Sequence, residues 1–235
     1  MKSDFFKGMY HGIPIALGYL SVSFGFGIMA VKSGLSVLTA VIISASNLTS
    51  AGQAAAVGII ASGGAIVEMA LTQLTINIRY SLMSLTLSQK LDRSFTFPKK
   101  LLASFGITDE IFAVAASRPK KLTPPYMYGL ILTPFIGWTL GTFLGAWAGE
   151  LLPSFIADAM GILLYGMFIA IIIPPARKEK KILAVIAMAA AVSCILRYLV
   201  PVLSGGFAVI ISAVAASVIG ALLFPVEEKE GAECQ

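Results

Sequence analysis

Long apolar runs, separated by short polar or charged loops, cover most of the chain. A helix that crosses a bilayer needs about 20 mostly apolar residues. The pattern therefore predicts an all-α polytopic membrane protein with about seven transmembrane helices. The predicted spans are 12–31, 35–60, 63–87, 126–149, 155–174, 181–201 and 205–224.

The second predicted span is polar in its middle. Irregular backbone at membrane depth is tolerated only where it is buried in protein or lines a watery cavity. We therefore expect residues 35–60 to form a broken helix or a re-entrant hairpin, whose free backbone groups suit a zwitterionic amino acid. The candidate substrate contacts in this segment are Ser46, Asn47 and Gln53.

Two basic loops, 88–125 and 177–181, are expected to face the cytoplasm, because Lys and Arg are enriched on that side of the membrane. Seven complete spans satisfy this only with the N-terminus outside. If 35–60 instead dips in and returns, both termini are inside, and Lys2 and Lys7 favour this second topology.

A weak internal repeat favours the first topology. It makes the first span similar to the fourth and the third similar to the sixth. Three helices that recur after an odd number of crossings form a 3+3 inverted repeat, here with one additional helix, which is a common transporter plan. The matches are Pro14 and Gly25 with Pro134 and Gly145, and Arg79-Tyr80 with Arg197-Tyr198.

The composition excludes a soluble enzyme, since 57% of the residues are hydrophobic and only 12% are charged. The net charge of +5 comes from basic loops between apolar runs, which indicates contact with membrane lipid rather than nucleic acid. We interpret 1–235 as a single transmembrane transporter domain. Its parts are a first helical half (1–88), a basic connection with a short helix (89–125), a second half (126–224) and an acidic tail (225–235).

Polar residues follow one face of the third predicted span. Glu68, Thr72 and Arg79 are separated by four and seven residues, so they share a helix face. With Asn77, Thr72 and Arg79 are candidates for substrate binding, since a guanidinium offers a planar fork to a carboxylate. Glu68 is a candidate proton carrier. The alternative is that Glu68 and Arg79 lie at the two membrane interfaces and snorkel.

Two further groups complete the candidate sites. Thr108 is expected to cap a short helix whose first turn carries Asp109 and Glu110, and these two adjacent carboxylates are also candidates for proton coupling. Glycines recur every four residues in the fourth span, a spacing typical of close helix packing, either internal or with another subunit. They are Gly137, Gly141, Gly145 and Gly149.

Several of these segments, in this order, resemble the AzlC family of bacterial permease subunits, over most of residues 8–224. The chain departs from the family pattern at Ala54, where an aromatic residue is common. The resembling segments are Gly12-x-Pro14, Ser50-Ala51-Gly52-Gln53-Ala54, Asn77-Ile78-Arg79-Tyr80 with Leu82, and Thr108-Asp109-Glu110-Ile111-Phe112-Ala113.

The resemblance implies a proton-driven secondary transporter that exports branched-chain amino acids across the bacterial cytoplasmic membrane, with a small AzlD-like membrane partner and no cofactor. The alternatives are a membrane channel and a non-transporting assembly subunit. An enzyme is not expected, because the single histidine, His11, stands alone and the metalloprotease motif H-E-x-x-H is absent.

Overall fold

The computed structural model describes residues 2–149, 176–200 and 205–224, with residues 155, 166, 169, 172–174 and 203. Within these residues the regular structure is helical, as predicted. Its helices are α1 (Lys2–Lys32), α2 (Val37–Ser46), α3 (Ser50–Ala61), α4 (Ile66–Asn77), α5 (Arg79–Ser88), α6 (Phe97–Phe105), α7 (Asp109–Ser117), α8 (Pro124–Gly149), α9 (Lys180–Leu199) and α10 (Gly205–Leu223).

Four of these helices, α1, α8, α9 and α10, are long and apolar enough to cross a membrane. The predicted second span is two short helices, α2 and α3, as its polar middle indicated. The predicted third span is α4 and α5, which follow each other at Ile78, a residue with α-helical dihedral angles. The predicted span 155–174 lies largely outside the described residues, as does the predicted acidic tail.

Helices α1 and α8 pack along their whole length and run parallel. Near their N-terminal ends, Thr123 Oγ1 donates to Asp4 Oδ2 at 3.0 Å. Near their C-terminal ends, Phe26 and Ala146 belong to one buried cluster. The predicted 3+3 inverted repeat requires the first and fourth spans to be antiparallel, so the packing of α1 and α8 does not confirm it.

The glycine face of α8 is the surface that contacts α1. A Cβ added at Gly145 would lie 2.8 Å from the Cα of Phe24, and one added at Gly149 would lie 3.3 Å from the Cα of Ile28. Such close approach of two backbones is what small residues permit. The glycines therefore pack inside the chain, and α1 covers the face that was also considered for a partner. The contacts of Gly137 and Gly141 are with Ala16 and with Leu20 and Ser23.

Helices α2 and α3 form a helical hairpin inside the bundle. Ala40 of α2 and Val57 of α3 both lie in the buried cluster around Phe26, near the C-terminal end of α1. Leu48, between the two helices, instead packs against Tyr19, near the middle of α1. The chain thus enters from one end of the bundle and returns to it, which agrees with the second predicted topology.

Helices α6 and α7 form a second helical hairpin, which enters the bundle from the opposite end. Its tip reaches the middle of α1, while its two outer ends lie beside the N-terminal ends of α1 and α8. The basic residues at the two outer ends of this hairpin, around Lys99 and Arg118, are therefore at this end, which the positive-inside rule assigns to the cytoplasm, whereas the tip of the predicted connection 89–125 reaches into the bundle. The contacts that place the hairpin are Lys99 with Tyr128, Thr108 with Tyr19, and Arg118 with Asp4.

Helices α4 and α5 connect the two ends. Leu87, near the end of α5, is buried with Tyr126 and Leu130 of α8. At the start of α4, the backbone N–H of Gly206 contacts Glu68, so α10 begins beside this helix. The chain between α1 and α8 thus returns once, through α4 and α5, as two parallel helices require.

Candidate functional site

The tips of the two hairpins lie halfway along α1 and α8, where they line a cavity of about 330 Å³. Its walls combine three charged side chains with aromatic and aliphatic ones. The charged residues are Arg79, Asp109 and Glu110, the aromatic residues are Tyr19, Tyr80 and Trp138, and the aliphatic residues include Leu48, Ile76 and Ile172. We call this the central cavity.

Arg79 and Asp109 form an ion pair in the wall of the central cavity, with 2.9 Å between Nη2 and Oδ2. The side chains are 41% and 37% exposed, so a ligand in the cavity can reach both. The guanidinium also lies over the ring of Tyr80, 5.0 Å from its centroid. A partly solvated ion pair contributes only about 0–1 kcal/mol, so a competing carboxylate can displace Asp109 from Arg79.

Glu110 is held by a hydrogen bond across two helices. The hydroxyl of Tyr19 donates to Glu110 Oε2 at 2.5 Å and lies 2.7 Å from Thr108 Oγ1. Thr108 Oγ1 accepts from the backbone N–H of Ile111 at 3.4 Å, which confirms the predicted helix cap. The cap places Asp109 and Glu110 in the first turn of α7, where the helix dipole favours negative charge.

A closed ring of hydrogen bonds ties the break between α2 and α3 to the end of α4. Thr49 donates to Asn77 Oδ1 at 2.8 Å, and Asn77 Nδ2 donates to Gln73 Oε1 at 3.1 Å. Gln73 Nε2 donates to the carbonyl of Gly52 at 2.7 Å. The backbone N–H of Gly52 in turn donates to Thr49 Oγ1 at 3.1 Å, which closes the ring. Asn77 thus supports the irregular backbone rather than lining the central cavity.

The other predicted substrate contacts also lie outside the central cavity. Ser46, Asn47 and Asn77 line a second, smaller cavity of about 190 Å³. Gln53 is fully buried and donates to Ser44 Oγ at 3.0 Å, inside the packing of the first hairpin. Of the predicted substrate contacts, only Arg79 reaches the central cavity.

Glu68, in α4, contacts the N-terminal end of α10. This residue is only 3% exposed, and its Oε1 accepts from the backbone N–H of Gly206 at 3.0 Å. Thr72, one turn along α4, is also buried, and both side chains contact the position of Gly206. A carboxylate at a helix N-terminus is stabilised by the helix dipole, so this contact fixes α10 on α4. The interpretation that Glu68 snorkels at an interface does not fit this burial.

Glutamine in place of Glu68 is expected to lower the free energy of unfolding by about 1 kcal/mol, because it removes the charge but keeps an oxygen acceptor. Denaturant unfolding of the purified protein in detergent measures this change. The comparison variant is Glu179→Gln, at the exposed N-cap of α9, where the side chain makes no capping hydrogen bond and a smaller loss is expected. A Glu68→Gln variant as stable as the unmodified protein would show that the charge of Glu68 does not hold α10.

Tyr19 and Trp138 were not identified as site residues from the sequence. They stack edge to face with 5.2 Å between ring centroids and wall the central cavity. Aromatic residues within apolar spans are usually packing residues, so the residue types of Tyr19 and Trp138 do not indicate a site. Only the hydroxyl of Tyr19 could have indicated one, since a polar group at membrane depth needs a partner. Among the described residues, no cluster of three or more His, Cys, Asp or Glu side chains offers a metal site.

Comparison with known proteins assigns the chain to a family. The family model described as AzlC protein matches residues 14–152, more than half of the chain. The inner membrane protein YgaZ of Escherichia coli is 26% identical over 208 residues, covering 86% of this chain and 85% of that protein.

An uncharacterized membrane protein of Archaeoglobus fulgidus is 28% identical over 176 residues, covering 74% of this chain and 77% of its own length. No solved structure gives a significant match. The family is of a membrane transporter type, which agrees with the long apolar helices and the central cavity. The chain is a multi-pass membrane protein and belongs to the AzlC family.

Proposed function

We propose that this protein is the large subunit of a secondary transporter that exports branched-chain amino acids from the bacterial cytoplasm. Transport is coupled to protons, and a small AzlD-like membrane subunit takes part. The observation that carries the proposal is the central cavity, where a guanidinium and two carboxylates face aliphatic and aromatic walls. Its volume of about 330 Å³ is at the small end of ligand sites, as a single amino acid requires.

The central cavity fits an amino acid in parts. Arg79 provides two parallel N–H donors for the α-carboxylate, and Asp109, once displaced from Arg79, accepts from the ammonium group. The apolar walls, with Leu48 and Trp138, receive the aliphatic side chain. A branched aliphatic side chain leaves no polar group to satisfy there, whereas a polar side chain would lose its hydrogen bonds with water.

Proton coupling is assigned to Asp109 and Glu110 rather than to Glu68. Both carboxylates line the central cavity, and two neighbouring negative charges favour the binding of a proton by one of them. Glu68 does not line this cavity and is held by α10. A proton taken up near Arg79 changes the charge that the substrate meets, which couples the two binding events.

The contacts of His11 support a transporter over an enzyme. Its Nδ1 lies 2.9 Å from the hydroxyl of Tyr126, and it does not line the central cavity. A histidine-based hydrolase needs this base beside a nucleophile.

The partner subunit must dock on a surface other than the glycine face, since α1 covers that face.

Efflux from vesicles preloaded with leucine, isoleucine or valine tests the proposed function. We expect saturable efflux that needs both the AzlD-like subunit and a proton gradient, and that shows counterflow. Flux that does not saturate and shows no counterflow would instead indicate a channel. Absence of efflux for all three amino acids, with the complex intact, would contradict the proposed substrate class and favour an assembly role.

A further inference from the structure

The two cavities of the hairpin region meet at two side chains. The second cavity, of about 190 Å³, is lined by the first hairpin tip and by the tip of α6, including Ser104 and Phe105. Leu48 and Tyr80 line both this cavity and the central one. They therefore separate the two spaces, and any path that joins the cavities at this point passes between them.

Both side chains lie at helix boundaries. Leu48 is in the break between Ser46, where α2 ends, and Ser50, where α3 begins. Tyr80 is the second residue of α5, directly after Ile78, where α4 ends although the backbone keeps α-helical dihedral angles (φ −55°, ψ −33°). Positions at the ends of helices absorb changes of backbone dihedral angle at low cost, and hinges of moving elements are found there.

Leu48 is held in place by its packing. Leu48 is only 8% exposed and packs against Tyr19 and Trp138. Beside it, Thr49 donates to Asn77, so the ring of hydrogen bonds fixes both boundaries relative to each other. An apolar constriction between polar spaces excludes water and ions until its side chains move apart.

We propose that Leu48 and Tyr80 form a gate between the two cavities, and that its opening joins them into a path between the two faces of the membrane. The ring of hydrogen bonds keeps the gate closed in the absence of substrate. The gate deepens the proposed transport function and rests on it. Its test measures access of a chemical probe and needs no amino acid, so a wrong substrate assignment does not affect the result.

The test uses the full chain with Cys194 and Cys234 replaced by serine. It is prepared in two kinds of sealed vesicle, one with each face of the protein turned outward. Ser50→Cys reports the central cavity only, and Ser104→Cys reports the second cavity only. A charged, membrane-impermeant thiol reagent is added from outside. We expect each cysteine to react from one face of the membrane, and the two to react from opposite faces.

Leu48→Ala is then expected to make each cysteine react from both faces, with an increase of at least about tenfold from the face that was closed. Leu85→Ala, at an exposed position of α5, is the matched control and is expected to leave the pattern unchanged. If Leu48→Ala does not give a folded protein by size-exclusion chromatography, Tyr80→Ala is used in the same measurement, with the same expected result. Reaction of both cysteines from the same face, or unchanged one-sided reaction in the folded gate variant, would overturn the proposal.

Discussion

Alanine in place of Arg79 is expected to reduce leucine efflux by at least about tenfold, mainly through weaker substrate binding. A hydrogen bond to a charged group contributes about 1.5–3 kcal/mol, and about 1.4 kcal/mol corresponds to a tenfold change in affinity. Lysine at this position is expected to recover only part of the loss, because an ammonium group cannot bind a carboxylate through two parallel bonds. Initial efflux rates over a range of internal leucine concentrations measure the effect.

Two variants separate substrate binding from the loss of the ion pair. Arg197→Ala removes an exposed arginine of α9 and is expected to leave efflux unchanged. The double variant Arg79→Ala with Asp109→Asn removes the carboxylate that the single change leaves without its partner. Recovery of efflux in the double variant would show that Arg79 serves only to neutralise Asp109. Normal efflux by folded Arg79→Ala alone would remove Arg79 from the substrate site.

Alanine in place of Gly145 is expected to lower the stability of the protein by about 1–3 kcal/mol or more, because the added methyl group meets backbone atoms of Phe24 that cannot move independently. The control is Gly18→Ala on α1, where an added Cβ has no atom within 4 Å. Thermal unfolding in detergent compares the two single-methyl additions. Equal transition temperatures would show that α1 and α8 separate easily, against the close packing described above.

The parts of the fold that the sequence predicted depend on local chemistry. Polar residues in the middle of an apolar run located the break at Asn47, and Thr108 followed by two acids located the start of α7. The glycine spacing of α8 identified a packing face. Each of these signals lies within a few residues of the feature it predicts, because caps, breaks and helix faces are set by neighbouring side chains.

The features that the sequence did not predict depend on contacts between distant segments. Of the two predicted topologies, only the one in which 35–60 returns to its starting side makes α1 and α8 parallel, and the choice depends on how deep the first hairpin reaches. The boundary between α4 and α5 at Ile78 has α-helical dihedral angles and no glycine or proline to mark it. Asn77 was expected to bind substrate because it shares a helix with Arg79, but its amide is occupied by Thr49 and Gln73.

Tyr19 and Trp138 show the same limit for the candidate site. They are separated by more than 100 residues and line the cavity together only because α1 packs on α8 and the first hairpin brings Leu48 against both of them. The charged residues were easier to find, since charge at membrane depth is costly and indicates a function. Polar and charged residues within the spans thus predict the chemical groups of a site, whereas the residues that form its walls are known only from the structure.

The pairing of α1 with α8 affects how the protein is made. The ribosome releases α1 first, and its packing partner ends only at Gly149. At about 5–20 residues per second, the interval between the two helices is about 6–24 s. During this time the close-packing face of α1 meets lipid or the insertion machinery instead of α8. Biosynthesis of this chain therefore includes a stage in which its first helix is inserted but not yet packed.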